Sequence, residues 1–365
     1  MKVINYGSKY EIYPNDLKTF DQLPKGTYTV EFNPMNGFSL SKINNFVQKE
    51  PKIYGNHEVK VSKALKTFEI LNRSLGIILS GDKGVGKSIF AQLLAERCAD
   101  SDLPVIIVKK AYPGIADYIE SIDQEVLVLF DEFEKMFDDR KDGIEPQENL
   151  LGLLDGVSQK KKLFVITVNN LRRVNEFMIN RPGRFHYHIR FGYLGREEIT
   201  EYLKDKLPSE YYGEIDSVVR FANRVPMNYD CLRAIAFELS LGLTFAEAIA
   251  DLNILNTEGQ KYDITLDLVN DDNGKTISVI NDKHELMDLF TDVVKYGHYI
   301  DGVGYIQIRF SPSDIETNDN ELIVRSENIE IIETELTDAM DELDISVGDL
   351  HLKKSAQTNY HYHAV

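Results

Sequence analysis

The chain has 365 residues, 43% of them hydrophobic, and a formal net charge of −18. That length accommodates two or three domains with cores of their own. No apolar run reaches the roughly 20 residues that a membrane-spanning helix needs. The N-terminal residues lack a signal-peptide core, and the two cysteines, Cys98 and Cys231, lie too far apart in sequence to suggest a disulfide framework. A reducing, cytoplasmic setting without a membrane segment is the expectation. From residue 256 onward there are 23 acidic against 8 basic residues, so −15 of the charge sits in the last third. Such a segment is unsuited to gripping nucleic acid, which requires cations against phosphates; it predicts solubility or an acidic face for a basic partner.

Taken in chain order, residues 1–50 mix turn signals with alternating stretches such as Thr27-Tyr28-Thr29-Val30-Glu31-Phe32, which predicts a small β-rich leader. Helical spacing follows over 59–71 (Val61, Leu65, Phe68, Ile70, Leu71). Strands are then predicted over 76–80, 104–108, 126–130, 163–168 and 186–191, alternating with helices. Short, continuous apolar strands in that alternation imply a parallel sheet covered on both faces. Residues 195–255 read as a helical bundle, with helices over 196–206, 215–223, 229–240 and 244–253. Beyond it, strands are predicted over 262–269, 276–280, 305–310 and 321–325, with a hairpin turn at Asp271-Asp272-Asn273-Gly274 and a helix near 284–294. The predicted organisation is therefore an α/β P-loop core over 51–194, a helical lid over 195–255, an acidic α+β domain over 256–350 and a loose tail over 351–365.

Gly81-Asp82-Lys83-Gly84-Val85-Gly86-Lys87-Ser88 fits G-x-x-x-x-G-K-[ST] in full, with an apolar strand before it and a helix pattern beginning at Ile89 behind it. The glycines let successive N–H groups turn toward phosphate oxygens. Lys87 is expected to reach the β- and γ-phosphates of ATP, and the Ser88 hydroxyl to ligate Mg²⁺. The run Val126-Leu127-Val128-Leu129-Phe130-Asp131-Glu132 is a buried-strand pattern ending in two carboxylates. It is expected beside the P-loop strand, with Asp131 in the Mg²⁺ shell and Glu132 polarising the attacking water as general base.

Three further stretches carry a family resemblance: Leu150-Leu151-Gly152-Leu153-Leu154-Asp155-Gly156-Val157, residues 164–170, and Arg181-Pro182-Gly183-Arg184-Phe185. With the two motifs above they resemble the AAA family of ATPases, nearest to Bcs-type and FtsH-type modules of a bacterial or phage single-ring member. The resemblance spans about 200 residues, from Ile53 to Leu255. It implies that a polar residue ending the strand after Asp155-Gly156 orients the attacking water: Asn170, with Asn169 as the alternative. Arg181 and Arg184 match arginines that reach the neighbouring subunit's ATP, Ile53-Tyr54-Gly55 the segment packed on adenine, and Asp155-Gly156-Val157 a loop sensing the neighbour's nucleotide. A homo-oligomeric ring, most often a hexamer in that family, follows from the arginines. The usual pore construction is missing, since only one helix, over 116–122, fits between the second strand and the Asp-Glu strand; Tyr112 is an aromatic available to line a pore. His284-Glu285-Leu286-Met287-Asp288 lacks the second histidine of a zinc-protease helix, and His351, His361 and His363 fall in the predicted tail. The leading expectation is a ring-forming ATPase that remodels or moves a protein partner. One alternative is nucleic-acid handling through a basic channel built from Lys109-Lys110 and Lys160-Lys161-Lys162; another is a structural ring that uses ATP as an assembly switch.

Overall fold

Strand-forming runs that are buried end to end determine the first unit. In the computed structural model, the described residues are 1–14, 17–46, 52, 54–137, 144, 146–154, 160–179, 183–254, 260–270, 274–289, 291–318, 321–337 and 344–355. The chain divides into two compact units, Met1–Phe191 and Gly192–Val365. The first contains, in order, β1 (Lys2–Tyr6), β2 (Lys9–Tyr13), β3 (Thr27–Asn33), β4 (Gly37–Ile43), α1 (His57–Ile70), β5 (Leu75–Ser80), α2 (Lys87–Asp100), β6 (Val105–Val108), α3 (Ile115–Glu120), β7 (Leu127–Phe130), α4 (Phe133–Met136), α5 (Gln147–Leu154), β8 (Leu163–Val168), α6 (Glu176–Ile179) and β9 (Phe185–Arg190).

Seven of these strands form one sheet in the order β4-β3-β6-β7-β8-β5-β9, parallel throughout except for the β3–β4 hairpin. Every residue of β5, β6, β7 and β8 is buried, as expected of strands with no solvent face. Two corrections follow. The carboxylate-bearing β7 is not beside the P-loop strand β5, because β8 lies between them and bonds to both. The leader is not a separate β-rich piece either: β3 pairs in parallel with β6, from Thr27 opposite Val105, and makes the core sheet wider. Its first four residues are buried, which an alternating half-exposed strand would not be. Of the leader, only the hairpin β1–β2 forms a sheet of its own.

The second unit holds α7 (Arg196–Lys206), α8 (Ile215–Arg224), α9 (Tyr229–Ser240) and α10 (Phe245–Ala250), followed by β10 (Gln260–Asn270), β11 (Lys275–Met287), β12 (Val294–Ile300), β13 (Gly304–Phe310), β14 (Ile315–Asn318), β15 (Glu321–Val324), β16 (Glu330–Leu336) and β17 (Ile345–Lys354). Five of the strands pair as β11-β10-β17-β15-β14 and three as β12-β13-β16, all antiparallel. Tyr262, Ile264, Leu266 and Leu268 alternate inward on β10 and meet Leu322, Val324, Leu350 and Leu352 in one core. Among the described residues this region has strands and short 3-10 turns but no α-helix, so the α+β expectation is corrected to all-β.

The helix expected near 284–294 is replaced by the end of β11 and the start of β12. A register shift between Tyr262 and Ile264 places His284 in a bulge with φ 63°. One extra residue breaks the period of two, which left the apolar residues Leu286, Met287 and Leu289 spaced ambiguously between helix and strand. The tail is corrected as well. Residues 351–354 close β17, an interior strand in which Leu352 is fully buried, and residues 356–365 lie outside the described set.

Three strands of this unit converge on the last turn of α8. Lys354 Nζ donates to the carbonyls of Ala222 (3.0 Å) and Val225 (3.4 Å), and the Tyr262 hydroxyl donates to Asn223 O (3.4 Å). In return Arg224 Nη2 donates to Ile315 O at 3.0 Å. These bonds satisfy helix-terminal carbonyls that would otherwise be orphaned, and they tie α8 to the β-structure of this unit.

Candidate functional site

The site is built at the carboxyl ends of β5, β7 and β8, where a parallel sheet opens into loops. The Gly81 N–H donates to Val168 O (3.2 Å) and the Phe191 N–H to Ser80 O (2.7 Å), so the P-loop leaves β5 held between the ends of both neighbouring strands. A Cβ on Gly81 would lie 2.2 Å from Phe191 O, which leaves glycine as the residue that fits there. Gly86 takes φ 102° to turn the chain into α2, a left-handed value that costs other residues energy. Lys87 is 6% exposed, and its Nζ donates to Gly81 O (2.7 Å) and Asp82 O (2.6 Å). Burial lowers its amine pKa, against the opposing pull of Asp82, Glu134, Asp131 and Glu132. Ser88, in the first turn of α2, is exposed.

Thr167 orders the two carboxylates that end β7. Its hydroxyl donates to Asp131 Oδ1 (2.6 Å) and accepts from the Glu132 N–H (2.8 Å). Glu132 has φ 49° and ψ 51°, a left-handed conformation that is uncommon for a side chain of this size and concentrates at functional sites. Its carboxylate pairs with Lys135 and accepts from Asn169 Nδ2 at 3.3 Å. The Lys135 hydrogen bond, with help from Asn169 and Lys83, holds the Glu132 pKa below the usual carboxylate range.

The two candidates for the residue that orients the water take different partners: Asn170 Oδ1 accepts from the Arg172 N–H (3.0 Å) and caps a short 3-10 turn, whereas Asn169 sends its amide to Glu132 and Glu134. Thr167 and Glu134 were missed from sequence. For Thr167 the available signal was a lone hydroxyl in the apolar strand Leu-Phe-Val-Ile-Thr-Val.

On the other side of the P-loop, Tyr54 is buried and its carbonyl meets His57 Nδ1 at 2.7 Å. Gly55 takes φ 75°. The His57 ring packs at 5.4 Å from Phe191 and 6.1 Å from Phe90, next to the first turn of α2. The Tyr54-Gly55 segment is thus anchored beside the P-loop helix, while Ile53 lies outside the described residues.

Arg184 is 9% exposed and donates from Nη1 to Phe177 O (3.1 Å). Its neighbour Phe185 pairs with Gly76, at the opposite end of β5 from Gly81. Five residues of strand separate these ends by roughly 17 Å, so Arg184 and the P-loop are not brought together within one chain. Arg181 and the Asp155-Gly156-Val157 loop lie outside the described residues.

The basic channel is not assembled from the lysine triplet. Lys161 Nζ donates to the carbonyls of Phe68, Glu69 and Leu71, and Lys162 is fully buried. Tyr112 packs on Phe32 and Phe38 of the β3–β4 hairpin, with ring centroids 5.1 and 6.3 Å away, and the Lys110 ammonium lies 5.0 Å from the Tyr112 ring centroid.

The donor set fits a magnesium-bound nucleoside triphosphate. A glycine-lined loop opens a 14-residue helix, whose N-terminus favours anionic oxygen. A buried amine stands at the loop and an exposed carboxylate, Asp131, beside it. Among the described residues no helix is long and apolar enough to cross a membrane, and no group of three or more His, Cys, Asp or Glu is placed to hold a metal by itself.

Comparison with known proteins matches residues 77–193 to the family described as "ATPase family associated with various cellular activities (AAA)". "ATPase family AAA domain-containing protein 2" of Homo sapiens is 26% identical over 148 residues, covering 35% of this chain and 11% of that protein. "ATPase histone chaperone YTA7" of Saccharomyces cerevisiae is 26% identical over 129 residues, 30% of this chain and 9% of its own. The "Cell division cycle protein 48 homolog" of Archaeoglobus fulgidus is 25% identical over 165 residues, 40% and 22% respectively. The alignments therefore span between 9% and 22% of the length of these relatives.

Proposed function

We propose that this chain, an ATPase with an AAA module over residues 77–193, assembles into a closed homo-oligomeric ring and uses ATP hydrolysis to remodel or move a protein partner. In this reading the N–H groups of Gly81, Asp82, Lys83, Gly84, Val85 and Gly86, with Lys87 and Ile89 at the helix start, bind the phosphates, and Tyr54-Gly55 packs on the base. Ser88 and Asp131 would hold Mg²⁺, which would supply neutralisation of the phosphate charge. Glu132, a carboxylate ionised at neutral pH as glutamates ordinarily are, orients the water and accepts its proton as the water attacks the γ-phosphorus. Asn169 takes the orienting role first given to Asn170.

The observation that carries the ring is the placement of Arg184, at the far end of β5 from its own P-loop. An arginine there would meet the γ-phosphate of another copy rather than its own; the family resemblance gives Arg181 the same role. Supplied in trans, such a charge is worth about 10³–10⁵ in rate. Contacts between unlike surfaces related by rotation close into a ring. The chaperone named among the relatives supports a protein as the cargo. The nucleic-acid alternative is weakened, because Lys161 and Lys162 serve the fold. Two free thiols, Cys98 and Cys231, suit the cytoplasm.

The test is Glu132→Gln, read by nucleotide affinity and steady-state turnover. ATP binding is expected to persist while turnover falls to background; hydrolysis at the wild-type rate would remove Glu132 as the base, whereas lost turnover with function intact would favour the assembly-switch reading.

A further inference from the structure

Glu134 has no part in the reading above, yet it is the more deeply placed of the two glutamates that follow Asp131. It is 3% exposed. A buried carboxylate that is not hydrogen-bonded is costly, and the hydrogen bonds of this one are committed to a single residue. Its Oε1 accepts from both the main-chain N–H and the Nδ2 of Asn169, each at 3.1 Å, while Oε2 has no hydrogen-bond partner among the described residues. The same Nδ2 reaches Glu132 Oε1 at 3.3 Å.

The chemistry of a primary amide gives this arrangement its consequence. An asparagine can present either its oxygen or its NH₂ to a given neighbour, and the two orientations differ only by a flip of the group. Two carboxylates facing the same end accept hydrogens and repel a carbonyl oxygen, so the NH₂ is held toward both. One of its hydrogens serves Glu134 and the other serves Glu132. Glu134 grips the backbone of Asn169 through a second bond, which removes rotation of the side chain about a loose anchor.

Resting on the assignment of Glu132 as the base, we propose that Glu134 is a positioning residue: it fixes the amide orientation of Asn169 and, through it, the carboxylate that orients the hydrolytic water. Glu134 touches neither water nor phosphate in this scheme. Misplacing a reacting group by about 1 Å costs on the order of 10²-fold in rate, and nucleotide affinity is set elsewhere, at the P-loop.

The experiment is a double-mutant cycle on the full chain, with kcat, KM and nucleotide Kd measured for Glu134→Ala, Asn169→Ala and the pair. Glu134→Ala is expected to lose about 10- to 100-fold in kcat with KM and Kd within about twofold of wild type. In the Asn169→Ala background the same change is expected to move kcat by less than about twofold, because the two residues act as a unit. Glu134→Gln, whose Oε1 can accept the same two bonds, is expected to recover most of the rate. Should Glu134→Ala fail to fold, Glu134→Asp withdraws the acceptor by one methylene and carries the same expectation as Ala. Independent, additive losses would overturn the proposal, and so would a Gln variant as slow as Ala, which would assign the effect to charge. The Glu132→Gln variant separates the two failures. If it hydrolyses ATP, the base assignment falls; if it is silent while Glu134→Ala turns over at the wild-type rate, only the role of Glu134 falls.

Discussion

His188 sits on β9 with Nε2 2.7 Å from the Ser80 hydroxyl, at the last residue before the P-loop, and its Nδ1 is sealed from solvent without a hydrogen-bond partner among the described residues. Burial, and then the charge of Arg190, push the imidazole pKa down to about 4 from 6.5. The unfolded chain therefore binds this proton well above the pH at which the folded chain does, so stability is complete above pH 6.5 and is lost as pH falls through the window to about 4. His188→Gln keeps a group that can bond Ser80 but does not titrate. Melting temperatures at pH 7 and pH 5 are expected to fall further for wild type than for the Gln variant; parallel losses would show that another group governs the acid limb. Residues of this kind were not legible in the sequence. His188 lies in an ordinary strand pattern, and its consequence comes from what β5 brings against it. The positions of Lys87 and Ser88 at the start of α2, and of Asp131 and Glu132 at the end of β7, were legible because each pair lies at a strand–loop or loop–helix junction that its own segment specifies. Asn169 and Asn170 were not separable by spacing, since adjacent residues leave a strand on opposite sides and only the position of Glu132 decides which side matters.

Helix α1 has no basic residue in its own last turn, although cations there offset the exposed carbonyl ends. Lys161, about 90 positions later, supplies that charge: its Nζ lies 2.8 Å from Phe68 O, 3.2 Å from Glu69 O and 3.1 Å from Leu71 O, and 4.7 Å from the centroid of the Phe68 ring. Removing the ammonium would leave carbonyls without their charged donor, a loss of about 1–3 kcal/mol. Lys161→Met is thus expected to lower the denaturant midpoint at unchanged slope while sparing nucleotide affinity. Unchanged stability together with lost binding to DNA or RNA would restore the basic-channel reading. Elements whose pattern follows from their own residues were read to within a few positions, β8 and α7 among them. Those whose pattern depends on a partner strand were not. β11 carries a bulge that only its pairing with β10 requires, and β3 became a core strand through its pairing with β6.

At the scale of the molecule, the two units place the chemistry and the acidic β-structure on different bodies. The P-loop, the carboxylates and Arg184 belong to the first. In the second, the last turn of α8 is bonded to β10, β14 and β17, so α8 and the acidic strands move together. The proposed ring rests on Arg184 and its distance from its own P-loop. Light scattering of Glu132→Gln with and without Mg-ATP measures the point directly, since the trapped nucleotide holds whatever assembly the trans arginines favour. A rise with nucleotide toward about six times the 41.7 kDa of one chain is the expected outcome for a closed ring. The additional change Arg184→Ala is expected to weaken that assembly, lowering the mass reached with Mg-ATP. A mass that stays at one chain in both conditions would leave Arg181 and Arg184 with no phosphate to meet, and the chain would then act as a solitary nucleotide switch.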